Sequence, residues 1–257
     1  MTKSAGSFVW YELMTRDLDR ALAFYPPVVG WEVQDSGLSE HRYMVLNANG
    51  KGIGGMMEMP PEAAANGAPA QWLGYVAVDD IDAAVARITA AGGQLHHGPA
   101  EIPGVGRFAS MTDPQRAAFV LFESRVEGFG DACQMGTPGH VGWNELHAAD
   151  GEAALAFYAE QFGWRQTEAL DMGEMGLYRL FAVDGGNPMG GMMTSPNFPR
   201  PSWLYYFCVD EIDAAAKRVT DHGGTVNFGP AEVPGGAWII QCADPTGVLF
   251  ALVGMRR

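Results

Sequence analysis

The sequence predicts an α+β protein in which one short βαβββ module occurs four times. The first observation is an internal repeat: Trp10-Tyr11-Glu12-Leu13 returns as Trp143-Asn144-Glu145-Leu146, 133 positions later. Gly54-Gly55-Met56-Met57 returns in the same order as Gly190-Gly191-Met192-Met193. Such ordered matches at nearly one offset indicate two homologous halves. The second observation is that each half divides again into two units, each with one helical pattern and several strand-like runs.

The elements of the first half follow from local patterns. Residues 8–14 form an aliphatic and aromatic run that is typical of a strand, and Asp17 stands where a helix would begin. Residues 80–91 carry a second helical pattern, which Gly92-Gly93 ends because glycine adopts the left-handed conformation without steric cost. Further strands are predicted near residues 43–46, 54–59, 72–78, 94–97, 108–111 and 118–122.

This organisation predicts two domains joined by a linker. Residues 126–138 are rich in glycine and polar residues, lack periodicity and are predicted to be the linker. The first domain covers residues 1–125, with modules near 7–59 and 71–123. The second covers residues 139–257, with modules near 140–194 and 202–254.

Composition limits the partners. The chain has 16 lysines and arginines against 30 aspartates and glutamates, a net charge of −14. Nucleic acid and anionic membranes are therefore poor partners, since both need a basic surface. No apolar run approaches the ~20 residues of a membrane span, and nothing in the N-terminal residues marks them for export. The three cysteines lack paired spacing, so we expect a protein of the reducing cytoplasm. We also expect a small-molecule ligand, and a monomer or homodimer.

Several motifs resemble the vicinal oxygen chelate superfamily, which includes glyoxalase I, bleomycin-resistance proteins and extradiol dioxygenases. The stretches DLDRALAFY, VDDIDAAVARITAAGG, DPQRAAFVLFE and DPTGVLFALV occur in the order met in that superfamily. In particular, the chain resembles two-domain, glyoxalase-like bacterial proteins. The resemblance implies that the two modules of each half form a curved mixed sheet, a cup with its helices outside and its ligand on the concave face. The motifs specify function less well, because one fold hosts many chemistries.

The resemblance also implies where a metal would be bound. Metal enzymes of this superfamily use His, Gln or Glu from first strands and Glu from last strands of the modules. The corresponding positions here lack donors for such a metal: Trp10, Leu73, Val120, Trp143, Leu204, Ala251, Gly55–Met57 and Gly191–Met193. Glu58 lies one residue beyond, but its counterpart is Thr194. We therefore expect no metal and no other cofactor, and a metal held by Glu145 and His147 is the less favoured alternative.

The two repeated glutamates are the central candidates. If Leu13 faces the helices, strand alternation directs Trp10 and Glu12 to the cup. Trp143, Glu145 and His147 lie on the corresponding face of the second half. A buried carboxylate is costly unless it is paired, so each glutamate either ties neighbouring strands together or serves as a ligand anchor or catalytic acid/base.

The remaining candidates would shape the cups. Trp10, Trp143, Tyr75 and Tyr206 would form apolar walls for a planar ligand, although aromatic side chains are also common in plain core. Arg107 aligns with Trp238, so it would recognise charge in the first cup alone. The two Gly-Gly-Met-Met runs indicate a bulge or a tight contact between strands.

Two classes of function remain open. One is a binding protein that holds a small organic ligand in a sheet-lined cup without the usual metal centre. The other is a metal-independent enzyme of the lyase, isomerase or hydroxylase type, with Glu12 or Glu145 as the acid/base group. A metal-dependent glyoxalase or extradiol dioxygenase is disfavoured by the residues at the ligand positions.

Overall fold

The computed structural model describes residues 5–37, 42–127, 129–130, 132–183 and 185–257. Its α-helices are α1 (Leu18–Tyr25), α2 (Pro61–Ala65), α3 (Ile81–Ala90), α4 (Gly151–Phe162) and α5 (Ile212–Asp221). The strands of the first half are β1 (Phe8–Thr15), β2 (Glu32–Asp35), β3 (Tyr43–Ala48), β4 (Lys51–Glu58), β5 (Gln71–Ala77), β6 (Gln94–Ile102), β7 (Gly106–Thr112) and β8 (Ala118–Ser124). Those of the second half are β9 (Val141–Ala148), β10 (Arg165–Asp171), β11 (Leu177–Ala182), β12 (Gly190–Thr194), β13 (Ser202–Glu211), β14 (Thr225–Glu232), β15 (Trp238–Ala243) and β16 (Leu249–Met255).

The predicted fold class is confirmed. The βαβββ order occurs four times. Within the described part of the chain, the short helix α2, a π-helical turn at Pro26–Gly30 and a 3-10 turn at Gly173–Met175 are additions to it. The first sheet has the strand order β2-β3-β4-β1-β5-β8-β7-β6, and the second repeats it as β10-β11-β12-β9-β13-β16-β15-β14. Both sheets are open and mixed, because the first and last strands of each module run parallel and the other pairs within a module are antiparallel.

Acidic side chains set the helix starts. Asp17 and Asp80 accept hydrogen bonds from the backbone N–H groups of Arg20 and Ala83, both at 2.9 Å. Glu211 caps α5 in the same way, and the N–H groups of Ala214 and Asp213 hold its pKa below the ordinary value. These bonds satisfy helix N–H groups that have no partner within the helix.

The chain forms two compact units, each made of one module from each half. Unit I contains Met1–Val9, Gly74–Asp131 and Trp143–Leu204, and unit II contains Trp10–Leu73, Ala132–Gly142 and Tyr205–Arg257. The two sheets, by contrast, follow the two halves of the sequence. The predicted domains at 1–125 and 139–257 and the linker at 126–138 stay a prediction, and linker residues 128 and 131 lie outside the described residues.

The core of unit II is aromatic. Tyr25 contacts Trp72 and Phe250 with ring centroids 5.2 Å apart in both pairs. Its hydroxyl donates to Asp244 Oδ2 at 3.1 Å, and Trp31 Nε1 donates to the carbonyl of Gly139 at 2.7 Å. The polar tips of Tyr25 and Trp31 are thus paired inside the unit, as burial requires.

Unit I repeats this core with the corresponding residues. Tyr158 stacks on Trp164 at 5.0 Å and meets Trp203 edge-on at 5.4 Å. The Tyr158 hydroxyl donates to Asp113 Oδ2 at 3.1 Å, and Trp164 Nε1 donates to the carbonyl of Gly6 at 2.7 Å. The duplication therefore extends from the sequence to individual hydrogen bonds.

In the described residues, no helix is long and apolar enough to cross a membrane.

Candidate functional site

A Trp–Tyr–Glu cluster occurs once in each half. In the first polar cluster (Trp10, Tyr43 and Glu12), Trp10 Nε1 donates to the Tyr43 hydroxyl at 2.9 Å, and that hydroxyl is hydrogen-bonded to Glu12. Glu12 is buried, with 7% of its surface exposed, while the aromatic residues are half-buried. Strand β1 carries the tryptophan and the glutamate, and β3 carries the tyrosine.

The second polar cluster (Trp143, Tyr178 and Glu145) has the same arrangement on β9 and β11. Trp143 Nε1 donates to the Tyr178 hydroxyl at 2.6 Å, and that hydroxyl donates to Glu145 Oε2 at 2.9 Å. Glu145 is 8% exposed. Hydrogen bonds to the ionised form offset part of the cost of burying a carboxylate.

The Gly-Gly-Met-Met runs make room for both clusters. Gly55 pairs with Glu12 across β4 and β1, and an added Cβ at Gly55 would overlap the ring and hydroxyl of Tyr43. At Gly191, which pairs with Glu145, an added Cβ would overlap the ring of Tyr178. The second glycine of each run thus leaves space for the tyrosine to lie across the neighbouring strand, a close contact of the kind that the motif predicts.

The environment keeps the Tyr43 hydroxyl protonated. Burial, followed by the nearby charge of Glu12, raises the pKa of Tyr43 well above its ordinary value, although the hydrogen bond from Trp10 opposes this. A neutral hydroxyl can accept from the indole and donate to the carboxylate at the same time. The first polar cluster is therefore fully hydrogen-bonded only while Tyr43 is neutral.

In the second half the cluster continues through two more side chains. His147 Nε2 lies 2.9 Å from Glu145 Oε1, and His147 Nδ1 lies 2.9 Å from Ser195 Oγ. The ring of Phe198 lies flat on the imidazole, with centroids 3.9 Å apart and planes 2° apart. The first half has Met14 at the position of His147, so this extension belongs to the second half alone.

The residues present do not fit the metal centre that the resemblance implies. Among the described residues, no group of three or more His, Cys, Asp or Glu side chains could hold a metal ion. Glu145 and His147 do lie together, but they supply two donors, and their neighbours in the cluster are Tyr178 and Ser195. Glu58 is exposed at the end of β4.

Tyr75 and Tyr206 lie on the first strands of the even-numbered modules. Tyr75 is buried on β5, 6.1 Å from the ring of Phe122. Tyr206 is buried on β13 and accepts a hydrogen bond from Gln241 Nε2 at 2.8 Å. Unit I contains Tyr75 but unit II contains Tyr206. Their roles as ligand walls stay predictions.

Arg107 is engaged by carboxylates. Its guanidinium donates twice to Asp82 in the first turn of α3, at 2.7 and 3.1 Å, and lies 4.0 Å from Glu123. Arg107 pairs with Glu123 across β7 and β8, so the two side chains share one face of the sheet. Tyr75 shares a face with Phe122, and Phe122 and Glu123 are neighbours on β8 that point to opposite faces. Arg107 and Tyr75 therefore point to opposite faces of the sheet. A role for Arg107 in charge recognition stays a prediction.

Sequence reasoning missed four residues of these clusters: Tyr43, Tyr178, Ser195 and Phe198. A usable signal existed for the two tyrosines, because Tyr43 is the first residue of β3, Tyr178 is the second residue of β11, and both strands precede a Gly-Gly-Met-Met run. Ser195 and Phe198 have no such counterparts in the repeat, and their proximity to His147 is visible only in the structure.

Comparison with known proteins agrees with this architecture. The family model of the Glyoxalase/Bleomycin resistance protein/Dioxygenase superfamily matches residues 7–121 and 137–252. The chain belongs to this superfamily. The resemblance stated from the sequence motifs is thereby confirmed, and the two matched segments coincide with the two halves of the repeat.

Curated relatives span nearly the full length. The chain is 32% identical over 251 residues to CFP32 of Mycobacterium bovis, a candidate glyoxylase, and the match covers 96% of this chain and 94% of that protein. It is also 32% identical over 274 residues to the anthracycline biosynthesis protein DnrV of Streptomyces peucetius, with coverage of 100% and 96%.

Solved structures share the fold at low sequence identity. The Mn(II)-bound glyoxalase from Novosphingobium aromaticivorans aligns with a TM-score of 0.67 and 17% identity, over 98% of this chain and 82% of that one. The 2,2',3-trihydroxybiphenyl 1,2-dioxygenase from Sphingomonas wittichii strain RW1 aligns with a TM-score of 0.69 and 12% identity, over 98% and 91%. At these identities the likeness concerns the fold alone.

Proposed function

We propose that the protein binds a small organic ligand at the sheet faces that carry the two polar clusters, without the metal centre of its metal-dependent relatives. The observation that carries this proposal is the repeated Trp–Tyr–Glu arrangement. Trp10 and Trp143 occupy first-strand positions at which, by the family resemblance, metal enzymes place a ligand. In this chain those positions carry an indole next to a hydrogen-bonded carboxylate.

The chemistry of the clusters favours a particular class of ligand. An indole presents a flat apolar surface, and the adjacent carboxylate attracts hydrogen-bond donors and positive charge. Glu12 and Glu145 remain 7% and 8% exposed, so contact with a ligand would occur at the edge of each carboxylate. The net charge of −14 would also attract a cation. We therefore propose a planar ligand with a donor or cationic group.

The proposal is tested by titrating a panel of planar, cationic compounds into the purified protein and following tryptophan fluorescence and heat. Glu12→Gln and Glu145→Gln should each weaken binding at their own cluster by roughly 10–100-fold, because a hydrogen bond to a charged group contributes about 1.5–3 kcal/mol. Glu58→Gln is the matched control, since Glu58 is exposed and outside both clusters. Unchanged affinity in both cluster variants would contradict the proposal.

Metal independence needs its own measurement. Protein purified without chelator or an affinity metal is analysed for bound elements, and its melting temperature is recorded with a panel of divalent metals. We expect no stoichiometric metal and no metal-dependent rise in melting temperature. Stoichiometric metal, or a rise in melting temperature with a metal, would contradict this expectation and favour metal-dependent glyoxalase or dioxygenase chemistry.

A metal-independent enzyme is the second candidate, favoured by the contact of His147 with Glu145 in the second half alone. An imidazole beside a carboxylate is suited to proton transfer in a lyase, isomerase or hydroxylase reaction. Turnover that is lost in Glu145→Gln while ligand affinity persists would distinguish this candidate from simple binding.

We further propose that the protein acts in the cytoplasm, as a monomer or homodimer, without nucleic-acid or membrane partners. The acidic composition and the unpaired spacing of the cysteines support this. Fractionation of the native host and sedimentation of the purified protein test it directly.

A further inference from the structure

We propose that Ser195 is a nucleophile for acyl transfer, with His147 as its general base and Glu145 as the group that orients the imidazole. This inference goes beyond ligand binding and does not rest on it: the two share Trp143, Tyr178 and Glu145, but ligand binding does not need His147 or Ser195. The substrate class is a small carboxylic ester.

The first argument is the order and spacing of the groups. Ser195 Oγ lies 2.9 Å from His147 Nδ1, and His147 Nε2 lies 2.9 Å from Glu145 Oε1. A hydroxyl, an imidazole and a carboxylate in series, each within hydrogen-bonding distance of the next, are the arrangement that activates a serine.

The carboxylate is held from its other side. The Tyr178 hydroxyl donates to Glu145 Oε2 at 2.9 Å, and Trp143 Nε1 donates to that hydroxyl at 2.6 Å. These bonds fix the orientation of the Glu145 side chain. Five polar groups thus lie in series from the Trp143 indole to the Ser195 hydroxyl, each within hydrogen-bonding distance of the next.

The ring nitrogens have defined roles in this arrangement. For His147 Nδ1 to take the serine proton, the neutral ring must carry its own proton on Nε2, which faces Glu145. The carboxylate stabilises this tautomer and then the imidazolium. His147 Nε2 lies 2.9 Å from Glu145 Oε1 without forming an aligned hydrogen bond. Catalytic hydrogen bonds are often poorly aligned until the substrate binds.

The surroundings suit proton transfer at the imidazole. The side chains of His147 and Glu145 are 9% and 11% exposed, and Phe198 covers the ring face at 3.9 Å. Exclusion of water strengthens the interaction between carboxylate and imidazolium. Ser195 is half-buried in the turn after β12, where it remains within reach of a small ester.

Comparison with the first half indicates that Ser195 and His147 are not needed for the fold. There the equivalent turn begins at Met59, whose N–H donates to the carbonyl of Thr15 at 2.7 Å, as the N–H of Ser195 donates to Ala148 at 2.9 Å. Met14 stands in place of His147. The same backbone is thus built without a serine and a histidine, so the module does not require them for folding.

The reaction balances without a further reagent except water. Ser195 Oγ attacks the ester carbonyl carbon and forms a C–O bond while its proton moves to His147. The bond to the alcohol breaks, and the alcohol leaves with the proton from His147. Water then attacks the acyl-serine, giving its proton to His147, and the carboxylic acid departs as Ser195 recovers its proton.

The test uses an alkyl fluorophosphonate on the full-length protein, followed by intact-mass measurement and peptide mapping. The Ser195 oxygen forms a bond to phosphorus, fluoride leaves, and the proton passes to His147. We expect stoichiometric labelling at Ser195 and no labelling in Ser195→Ala. In His147→Gln the rate of labelling should fall by at least about 100-fold. Ser202→Ala is the matched control and should label like the unchanged protein.

Additional readouts separate catalysis from misfolding. Near-ultraviolet circular dichroism checks the packing of each variant, and hydrolysis of p-nitrophenyl acetate should be lost in Ser195→Ala and fall about 100-fold in His147→Gln. Ligand affinity should persist in Ser195→Ala, so failure of this inference and failure of the proposed function are distinguishable. Absence of labelling at Ser195, or an equal rate in a well-folded His147→Gln, would overturn the inference.

Discussion

At the scale of single residues, the tyrosines decide what the glutamates can do. Glu12 and Glu145 lie on first strands next to a tryptophan, but the Tyr43 and Tyr178 hydroxyls from β3 and β11 hold them in place. A carboxylate with a defined orientation can present its remaining surface to a ligand. The glutamates alone, without these hydroxyls, would be costly to bury.

Tyr178→Phe tests this role. The variant removes the acceptor of the Trp143 N–H and the donor to Glu145 while it preserves the ring that packs over Gly191. The free energy of unfolding should fall by about 1–3 kcal/mol, the cost of leaving a buried polar group without a partner. Denaturant unfolding measures this, and Trp143→Phe in a double-mutant cycle should show coupling with it. Additive effects would contradict a hydrogen-bonded chain.

At the scale of elements, the Asp-Pro turns connect the last two strands of the even modules to a helix of the other half. Asp244 Oδ1 accepts from the N–H groups of Thr246 and Val248 at 2.7 and 3.0 Å, while Oδ2 accepts from the Tyr25 hydroxyl. Asp113 does the same with Tyr158, and burial raises the pKa of Asp113 above its ordinary value. One carboxylate thus closes a turn and pairs a buried hydroxyl.

Asp244→Ala should therefore destabilise unit II. It removes both turn bonds and leaves the fully buried Tyr25 hydroxyl without its acceptor, at a cost of at least about 1–3 kcal/mol. Denaturant unfolding provides the measurement. Asp210→Ala is the control, because Asp210 is exposed and should change stability by less than about 0.5 kcal/mol. Equal effects of the two variants would refute the role of this carboxylate.

Most helices and strands could be predicted from the sequence, and where the observed bounds differ from the predicted ones the cause is local. The predicted helix at 80–91 is α3, which begins after the capping Asp80 as expected. The strand predicted at 94–97 continues to Ile102, because β6 passes Gly98-Pro99 with a shift in register instead of ending there. A Gly-Pro pair is typical of a turn, and only pairing with β7 keeps this segment in the sheet.

At the scale of the whole molecule, burial makes the fold sensitive to alkaline conditions. Burial raises the pKa of Cys208 to about 11 and that of Cys242 to about 12. It also raises the pKa of Tyr25 and Tyr43 well above the ordinary value. At a pH between the ordinary pKa of such a group and its raised pKa in the folded state, the folded protein keeps a proton that the unfolded chain has lost. Unfolding therefore releases protons at such a pH.

The free energy of unfolding should consequently fall as pH rises above about 8.5, where thiols of the unfolded chain ionise, and further above about 10, where its tyrosines ionise. Urea unfolding at intervals from pH 8 to 11 measures the slope. Tyr43→Phe should reduce the slope above pH 10 and leave it unchanged below pH 9. Stability that is constant or rises over this range would contradict the assignment.

The sequence by itself determined the duplication, the four modules, the helix starts and the apolar residues at the positions of the family's metal ligands. These features are local, since they depend on spacing within one segment and on comparison of one half with the other. Tertiary structure decided the partners of the glutamates. Glu145, Tyr178 and Ser195 are 33 and 17 positions apart along the chain, and they meet because β9 lies beside β12, with β11 beyond it. The pairing of strands, which no local pattern specifies, creates the polar chain that ends at Ser195.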